Sequence, residues 1–216
     1  MKKDLSTQQR VKIILDELCR LYPDPIPVPL NFSNNWELLV AVILSAQCTD
    51  VMVNKVTNEL FQKYSNLDNY IHVSREELEQ DIKSTGFFRN KAKSIQKAAQ
   101  VIQEAYAGEL PPTMNELLEI PGVGKKTANV ILGIAFGKVE GIVVDTHIKR
   151  LSLKFKLTTN KNPDKIESDL MEIIPRKEWW SFPNKLKKYG QDYSPARKKK
   201  DTDDPISLKL FDGGLS

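Results

Sequence analysis

The residues in this chain most able to do chemistry are grouped in Pro121-Gly122-Val123-Gly124-Lys125-Lys126-Thr127-Ala128-Asn129, with Val143-Val144-Asp145-Thr146-His147 following downstream. Two glycines two positions apart, opening into a helix, expose backbone N–H groups at the positive end of that helix, and such a site holds a phosphate. Gly122, Val123 and Gly124 are the candidate amide donors, while Thr127, Asn129 and the small Ala128 let a polynucleotide backbone come close. A phosphate site, an amine and a carboxylate together point to chemistry on a nucleic acid. Each feature also has an ordinary reading. The glycine turn equally suits a connection between two packed antiparallel helices. Lys125 and Lys126 at a helix start are usually solvated, but the helix dipole disfavours cations there, and such a local conflict points to function. A partly desolvated amine at that end gives up its proton more readily and becomes nucleophilic. Asp145, just before a helix, is either its N-cap or a carboxylate held for catalysis.

Helical periodicity supplies the frame that positions these groups. Val11, Ile14, Leu15, Leu18 and Cys19 line one face of a first helix. Alternating prolines at Pro23, Pro25, Pro27 and Pro29 then make an extended crossing between structural units. Asn34 with Glu37 forms a capping box for a helix over 36–46, and another helix covers 51–64. Ser74 with Glu77 caps a short helix through Ile82, stopped by Gly86. A longer helix over 90–105 ends at Gly108, and Thr113 with Glu116 caps the one entering the glycine turn. Helix 125–136 follows and is closed by Gly137. Residues 141–144 are short and extended, a helix spans 146–155, and Asn162-Pro163-Asp164 starts one that ends before Pro175. Pro183 interrupts the pattern over 179–189. The charged, then glycine-rich tail from Ser194 reads as partly disordered. No repeat and no convincing β-sheet emerges. The helix after the glycine turn runs away from it and the extended segment runs back, a path that returns Asp145 toward the turn.

A chain of 216 residues buries a real core, as one domain or two smaller units. The net charge of +4 permits nucleic-acid binding without establishing it. No apolar run approaches the roughly 20 residues of a membrane span. The start, Met1-Lys2-Lys3-Asp4-Leu5-Ser6, has no apolar segment behind its charges, so the expectation is a cytoplasmic protein without a signal peptide. Cys19 and Cys48, both in apolar helical patterns, are expected to be reduced, buried thiols.

Four motifs in order carry a resemblance over nearly the whole chain. They are Leu44-Ser45-Ala46-Gln47-Cys48-Thr49-Asp50, Gly86-Phe87-Phe88-Arg89-Asn90-Lys91-Ala92, the stretch from Leu118 to Asn129, and Val144-Asp145-Thr146-His147. The chain resembles the endonuclease III family of helix-hairpin-helix DNA glycosylases. The resemblance implies that Lys126 is the nucleophile and Asp145 the essential carboxylate. It implies that Gln47 fills the gap left by a flipped nucleotide and that Phe87 is an apolar wedge, where the family more often has an aliphatic residue. Ordinary core packing is the other reading of Phe87. His147 is either a phosphate contact or a structural histidine at a helix end, and Trp179 and Trp180 read as core. The implied fold is all-α in two helical units with a DNA-binding cleft between them. Residues 28–138 form a six-helix barrel-like unit with the hairpin, and 1–27 join 139–216 in the second. The implied activity is a bifunctional DNA glycosylase and AP lyase, a monomer acting on oxidised pyrimidines and abasic sites in duplex DNA. A monofunctional glycosylase would use water in place of Lys126, and a non-catalytic DNA-binding protein would need neither Lys126 nor Asp145.

The family usually ends in a C-x6-C-x2-C-x5-C pattern that binds an iron–sulfur cluster. Here the four positions are Ser194, Asp201, Asp204 and Leu210. A cluster needs thiolates, so the expectation is a clusterless member with no cofactor and no metal. Asp201, Asp203 and Asp204 read as a solvated acidic run rather than a cation site. The aromatics Trp179, Trp180, Phe182 and Tyr189, with Leu186, are expected to pin the C-terminal segment. Arg197, Lys198, Lys199 and Lys200 are expected to face DNA.

Overall fold

The computed structural model describes residues 5–197 and 203–211. Among these residues every regular element is helical, as the expected all-α class requires. The chain begins with α1 (Thr7–Leu21), continues through α2 (Asn35–Ser45), α3 (Asp50–Lys63), α4 (Leu67–His72), α5 (Arg75–Asp81), α6 (Phe88–Tyr106), α7 (Met114–Glu119) and α8 (Lys125–Phe136), and ends with α9 (Thr146–Lys154), α10 (Pro163–Ile173), α11 (Ser181–Asp192) and α12 (Pro205–Phe211). Short 3₁₀ turns lie at Lys83–Thr85 and Arg176–Glu178. The helices group into two compact units, Val28–Lys138 and Met1–Pro27 with Val139–Ser216.

In the first of these units α2 is apolar on nearly every side. A helix without a polar face must be surrounded, and Trp36 and every residue from Leu38 to Leu44 are buried. α3, α6 and α8 pack around it. Fully burying a leucine such as Leu38 or Leu44 contributes about 1.5–3 kcal/mol, so α2 is a stiff axle. Gln47 lies just past its C-terminus, and α8, which opens with Lys125 and Lys126, leans on its side through Ala128, Ile131 and Leu132. Asn34 accepts from Glu37 N, but the Glu37 carboxylate reaches back to Ser33 N rather than to Asn34, so only half of the expected box forms.

The other unit packs α1, α9, α10, α11 and α12 around Ile14, Leu18, Phe155, Phe182, Leu186, Tyr189, Ile206 and Leu210. Several expectations are corrected here. Cys19 is exposed, because it lies at the margin of the apolar stripe of α1. Trp179 and Trp180 are half-buried rather than core, and the Trp179 indole N–H donates to Ile174 O. Pro183 does not interrupt α11: it stands in the first turn, where its missing N–H would have no helical acceptor. Residues 205–211 form α12 instead of a disordered tail. The short α4 was not anticipated; it is capped by Asn66 and buries Leu67 and Tyr70. Residues 141–144 carry no strand partner among the described residues.

Candidate active site

The glycine turn between α7 and α8 is built from two different demands. Gly122 has φ +88, and a Cβ there would lie 2.8 Å from Ser94 Cβ of α6 and 3.5 Å from Ile43 Cδ1 of α2. Backbone conformation and close approach therefore both require glycine. Gly124 has φ −100, which any residue adopts, and a Cβ there would meet nothing within 4 Å. The fold does not demand glycine at 124, and its openness suits a ligand that comes up against the backbone. Gly124 is the N-cap of α8, with no side-chain cap and no acid in the first turn. The first turn of this 12-residue helix thus offers its orphan N–H groups and positive dipole end no acid of its own. Val123 is a correction. Its N–H donates to Ile120 O at 3.0 Å and its side chain is buried, so it anchors the turn from within. Lys125 and Lys126 are exposed, so the expected partial desolvation of the amine is not built into the helix start. Thr127 is half-buried behind them.

In the same unit, Gln47 and Phe87 share an unusual backbone. Gln47 has φ +54 and Phe87 has φ +49. A left-handed conformation costs a non-glycine residue about 1–2 kcal/mol. Both residues are exposed, Phe87 at 63%, so the core-packing reading of Phe87 does not hold. An aromatic ring 63% exposed on left-handed backbone adds little to the core, and a ring so presented is what a wedge between base pairs needs. Phe88, the next residue, packs against the core instead, with the Arg89 guanidinium 5.0 Å from its ring centre.

Asp145, His147 and Arg197 belong to the other unit. Asp145 is the N-cap of α9, its Oδ1 accepting from Ile148 N at 2.9 Å. Capping and catalysis are compatible in one carboxylate: the bond through Oδ1 fixes the rotamer and orients Oδ2. His147 is half-buried, and its Nδ1 has no hydrogen-bond partner among the described residues. It lies against Gly190 of α11, where a Cβ would come within 3.1 Å of that nitrogen. Arg197 is exposed in the turn after α11, while Lys198, Lys199, Lys200 and Asp201 lie outside the described residues.

The positions that would ligate an iron–sulfur cluster do not fit one. Asp204 is 2% exposed, not part of a solvated acidic run. It pairs with Lys154 Nζ at 2.7 Å, accepts from the Tyr189 hydroxyl, and accepts from Ser207 N at 3.0 Å and Ser207 Oγ at 2.8 Å. Lys154 also donates to Ser194 Oγ at 2.8 Å, and Arg150 donates to Ser194 O. Leu210 is buried in the core. A hydroxyl, a carboxylate already held by an ammonium, and a hydrocarbon offer no soft ligand. Polar bonds and apolar packing thus tie α12 and the segment before it to α9 and α11. Among the described residues no cluster of His, Cys, Asp or Glu is arranged to hold a metal.

Burial pushes the Asp204 carboxyl upward, but bonds from Lys154, Tyr189 and Ser207 outweigh it and hold it below the ordinary value of 3.8. A carboxyl whose folded value is depressed adds stability above its unfolded value and loses it as pH falls through the folded one. Unfolding free energy should therefore fall as pH drops below about 4, and Asp204→Asn should flatten that fall. Lys154→Met leaves the buried carboxylate without its cation and should cost about 3 kcal/mol in urea unfolding at neutral pH. A cost below about 1 kcal/mol would mean that the pair is not what holds this segment.

Residues 40–176 match the family of HhH-GPD superfamily base excision DNA repair proteins. The chain belongs to the HhH-GPD superfamily. Within it, the endonuclease III of Synechocystis sp. is 48% identical over 198 residues, covering 92% of this chain and 90% of that protein. The endonuclease III of Bacillus subtilis is 42% identical over 199 residues, with the same coverage of 92% and 90%. A solved non-covalent endonuclease III–DNA complex superimposes with a TM-score of 0.88 at 42% identity, covering 95% of both chains. A trapped endonuclease III–DNA covalent intermediate gives the same TM-score and identity, covering 95% of this chain and 96% of the other. The HhH-GPD fold is shared more widely: a thermostable thymine-DNA glycosylase matches with a TM-score of 0.76 at 22% identity.

Sequence reasoning missed two groups. One is the Lys154–Asp204 pair, which joins residues 50 positions apart in the chain. The other is Lys91, a lysine within the apolar stripe of α6 that also holds Ala92 and Ile95. Its place in that stripe was the available signal.

Proposed function

We propose that this protein is a bifunctional DNA glycosylase and AP lyase that removes oxidised pyrimidines from duplex DNA. The observation that carries the reading is an exposed lysine in the first turn of an uncapped helix, behind a glycine whose missing side chain leaves the amides open. The similarity to an endonuclease III trapped covalently on DNA supports it.

The chemistry follows from these groups. C1′ lies inside the duplex stack, so the nucleotide must be extruded. Gln47 and Phe87 occupy the vacated space, and the turn at Gly122 and Gly124 with the start of α8 holds a backbone phosphate. Lys126 Nζ gives up a proton and attacks C1′ through its lone pair, the C1′–N bond breaks, and the base leaves with that electron pair and takes up a proton. Asp145 stabilises the positive charge that develops on the sugar. Opening of the sugar ring gives an imine between Lys126 and C1′. The imine acidifies the C2′ protons; loss of one, with breakage of the C3′–O bond, cuts the strand 3′ to the lesion, and water then releases the enzyme. Thr127, His147, Lys125 and Arg197 are proposed as DNA contacts. No step uses an iron–sulfur cluster, and the protein as purified without oxygen is expected to carry no stoichiometric iron; iron at cluster stoichiometry would overturn this.

Incubation with a duplex carrying thymine glycol should release the base and break the strand. Base release that leaves the strand intact would instead mean a monofunctional glycosylase. Gly124→Val tests the phosphate site. Because φ −100 suits valine and its side chain meets open space, the variant should fold normally. It should bind damaged and undamaged duplex about tenfold more weakly alike, since phosphate contacts carry no sequence information. Unchanged affinity in a gel-shift titration would move the binding surface elsewhere.

A further inference from the structure

Lys91 is an ionisable group that the reaction does not use, yet it is only 5% exposed. Its ammonium donates to Leu44 O at 2.8 Å and to Thr85 O at 2.8 Å. Both carbonyls have left the regular ladders. At the end of α2, Ala46 N turns back to Ile43 O and Cys48 N to Ser45 O, so the Leu44 carbonyl is passed over. At the end of the 3₁₀ turn, Gly86 N goes to Lys83 O, and Thr85 O faces the gap before α6. Leu44 stands three residues before Gln47, and Thr85 two before Phe87. Gln47 and Phe87, both on left-handed backbone, are thus each reached by a short lead from the same buried ammonium.

The two bonds satisfy carbonyls of buried residues, but a charged ammonium is an expensive donor for that purpose. Burial of the ammonium pushes its proton affinity down, opposed by the neighbouring Cys48. Burying a charge against neutral carbonyls is costly compared with an apolar side chain in the same stripe. What the ammonium does supply is two directed bonds, one to each loop, that a methionine cannot make.

We propose that Lys91 is a positioning residue that clamps the end of α2 to the end of the Lys83–Thr85 turn and so sets Gln47 and Phe87 apart by the distance a two-pronged wedge needs. This rests on the reading of Gln47 and Phe87 as the residues that prop open the extruded site. A wedge whose prongs are each strained would relax independently without a tie, and a misplacement of about 1 Å can cost about 10²-fold in rate. The clamp acts on extrusion from a duplex and has no part in a reaction on DNA that is already unstacked.

The test compares two substrates with one enzyme preparation: a duplex carrying thymine glycol, and a single strand carrying an abasic site. Their rate ratio cancels the fraction of folded protein. Lys91→Met should lower excision from the duplex about 10²-fold, in kcat rather than KM. Strand cleavage of the single-stranded abasic substrate should stay within about twofold, a split that a general loss of fold would not produce. Gln47→Ala/Phe87→Ala should itself lose duplex excision, and adding Lys91→Met to that double variant should cost little more, because nothing is left to position. If Lys91→Met does not fold, Lys91→Leu, which likewise has no donor, carries the same comparison. Equal losses on both substrates, no loss on the duplex, or a full further loss in the wedge-less background would overturn the clamp. Unaltered duplex excision by Gln47→Ala/Phe87→Ala would instead place the failure in the wedge reading on which the clamp rests.

Discussion

Lys126→Ala is expected to abolish strand cleavage at an abasic site and to lower excision from duplex DNA by about 10⁴-fold or more, the scale of losing a covalent nucleophile. Both lysines at the start of α8 are exposed, so neither substitution should unfold the protein. Alanine is also the better helix former, and a cation at a helix N-terminus is mildly unfavourable. Stability should therefore hold or rise slightly while activity disappears. Lys125→Ala is the control: it should keep covalent chemistry and lose only part of its DNA affinity. If Lys125→Ala were the inactive variant, the nucleophile would be the other lysine. If neither were inactive, the amine mechanism itself would fall.

Asp145→Asn should lower the rate about 10²–10³-fold while leaving the fold and lesion binding in place. The substitution separates the two roles of this carboxylate. Asparagine is as good an N-cap as aspartate, so the bond to Ile148 N survives and only the negative charge is lost. Asp145→Ala removes both, and should add about 1 kcal/mol of destabilisation in a thermal or urea melt to the same catalytic loss. Near-wild-type rates for Asp145→Asn beside a destabilised Asp145→Ala would reduce the residue to a helix cap.

Much of the helical frame was legible because short-range chemistry punctuates it. α8 spans the expected 125–136 because a glycine stands on each side of an apolar run. Ser74 and Thr113 cap the helices they were expected to cap. Boundaries slipped where the signal was tertiary. α6 begins at Phe88, two residues earlier than expected, because Phe87 takes a left-handed conformation that no local pattern announces. α4 has six residues, too few to show a period. Pro183 was read as an interruption because the true start of α11, at Ser181, lacks a side-chain cap. At the site, residue types and order were readable, but their settings were not. That Phe87 points to solvent, that Val123 commits its amide internally, and that Asp204 is buried all depend on neighbours distant in sequence. Asp204 was misread for a physical reason: three aspartates in four positions look solvated until a lysine 50 positions away neutralises one of them.

The covalent bond to DNA must form at Lys126 and nowhere else. Wild-type protein incubated with a duplex containing an abasic site, reduced with borohydride, digested and sequenced by mass spectrometry should yield a single sugar-modified peptide, with the modification on Lys126. Release of the damaged base with no reducible adduct, or an adduct on any other residue, would contradict it.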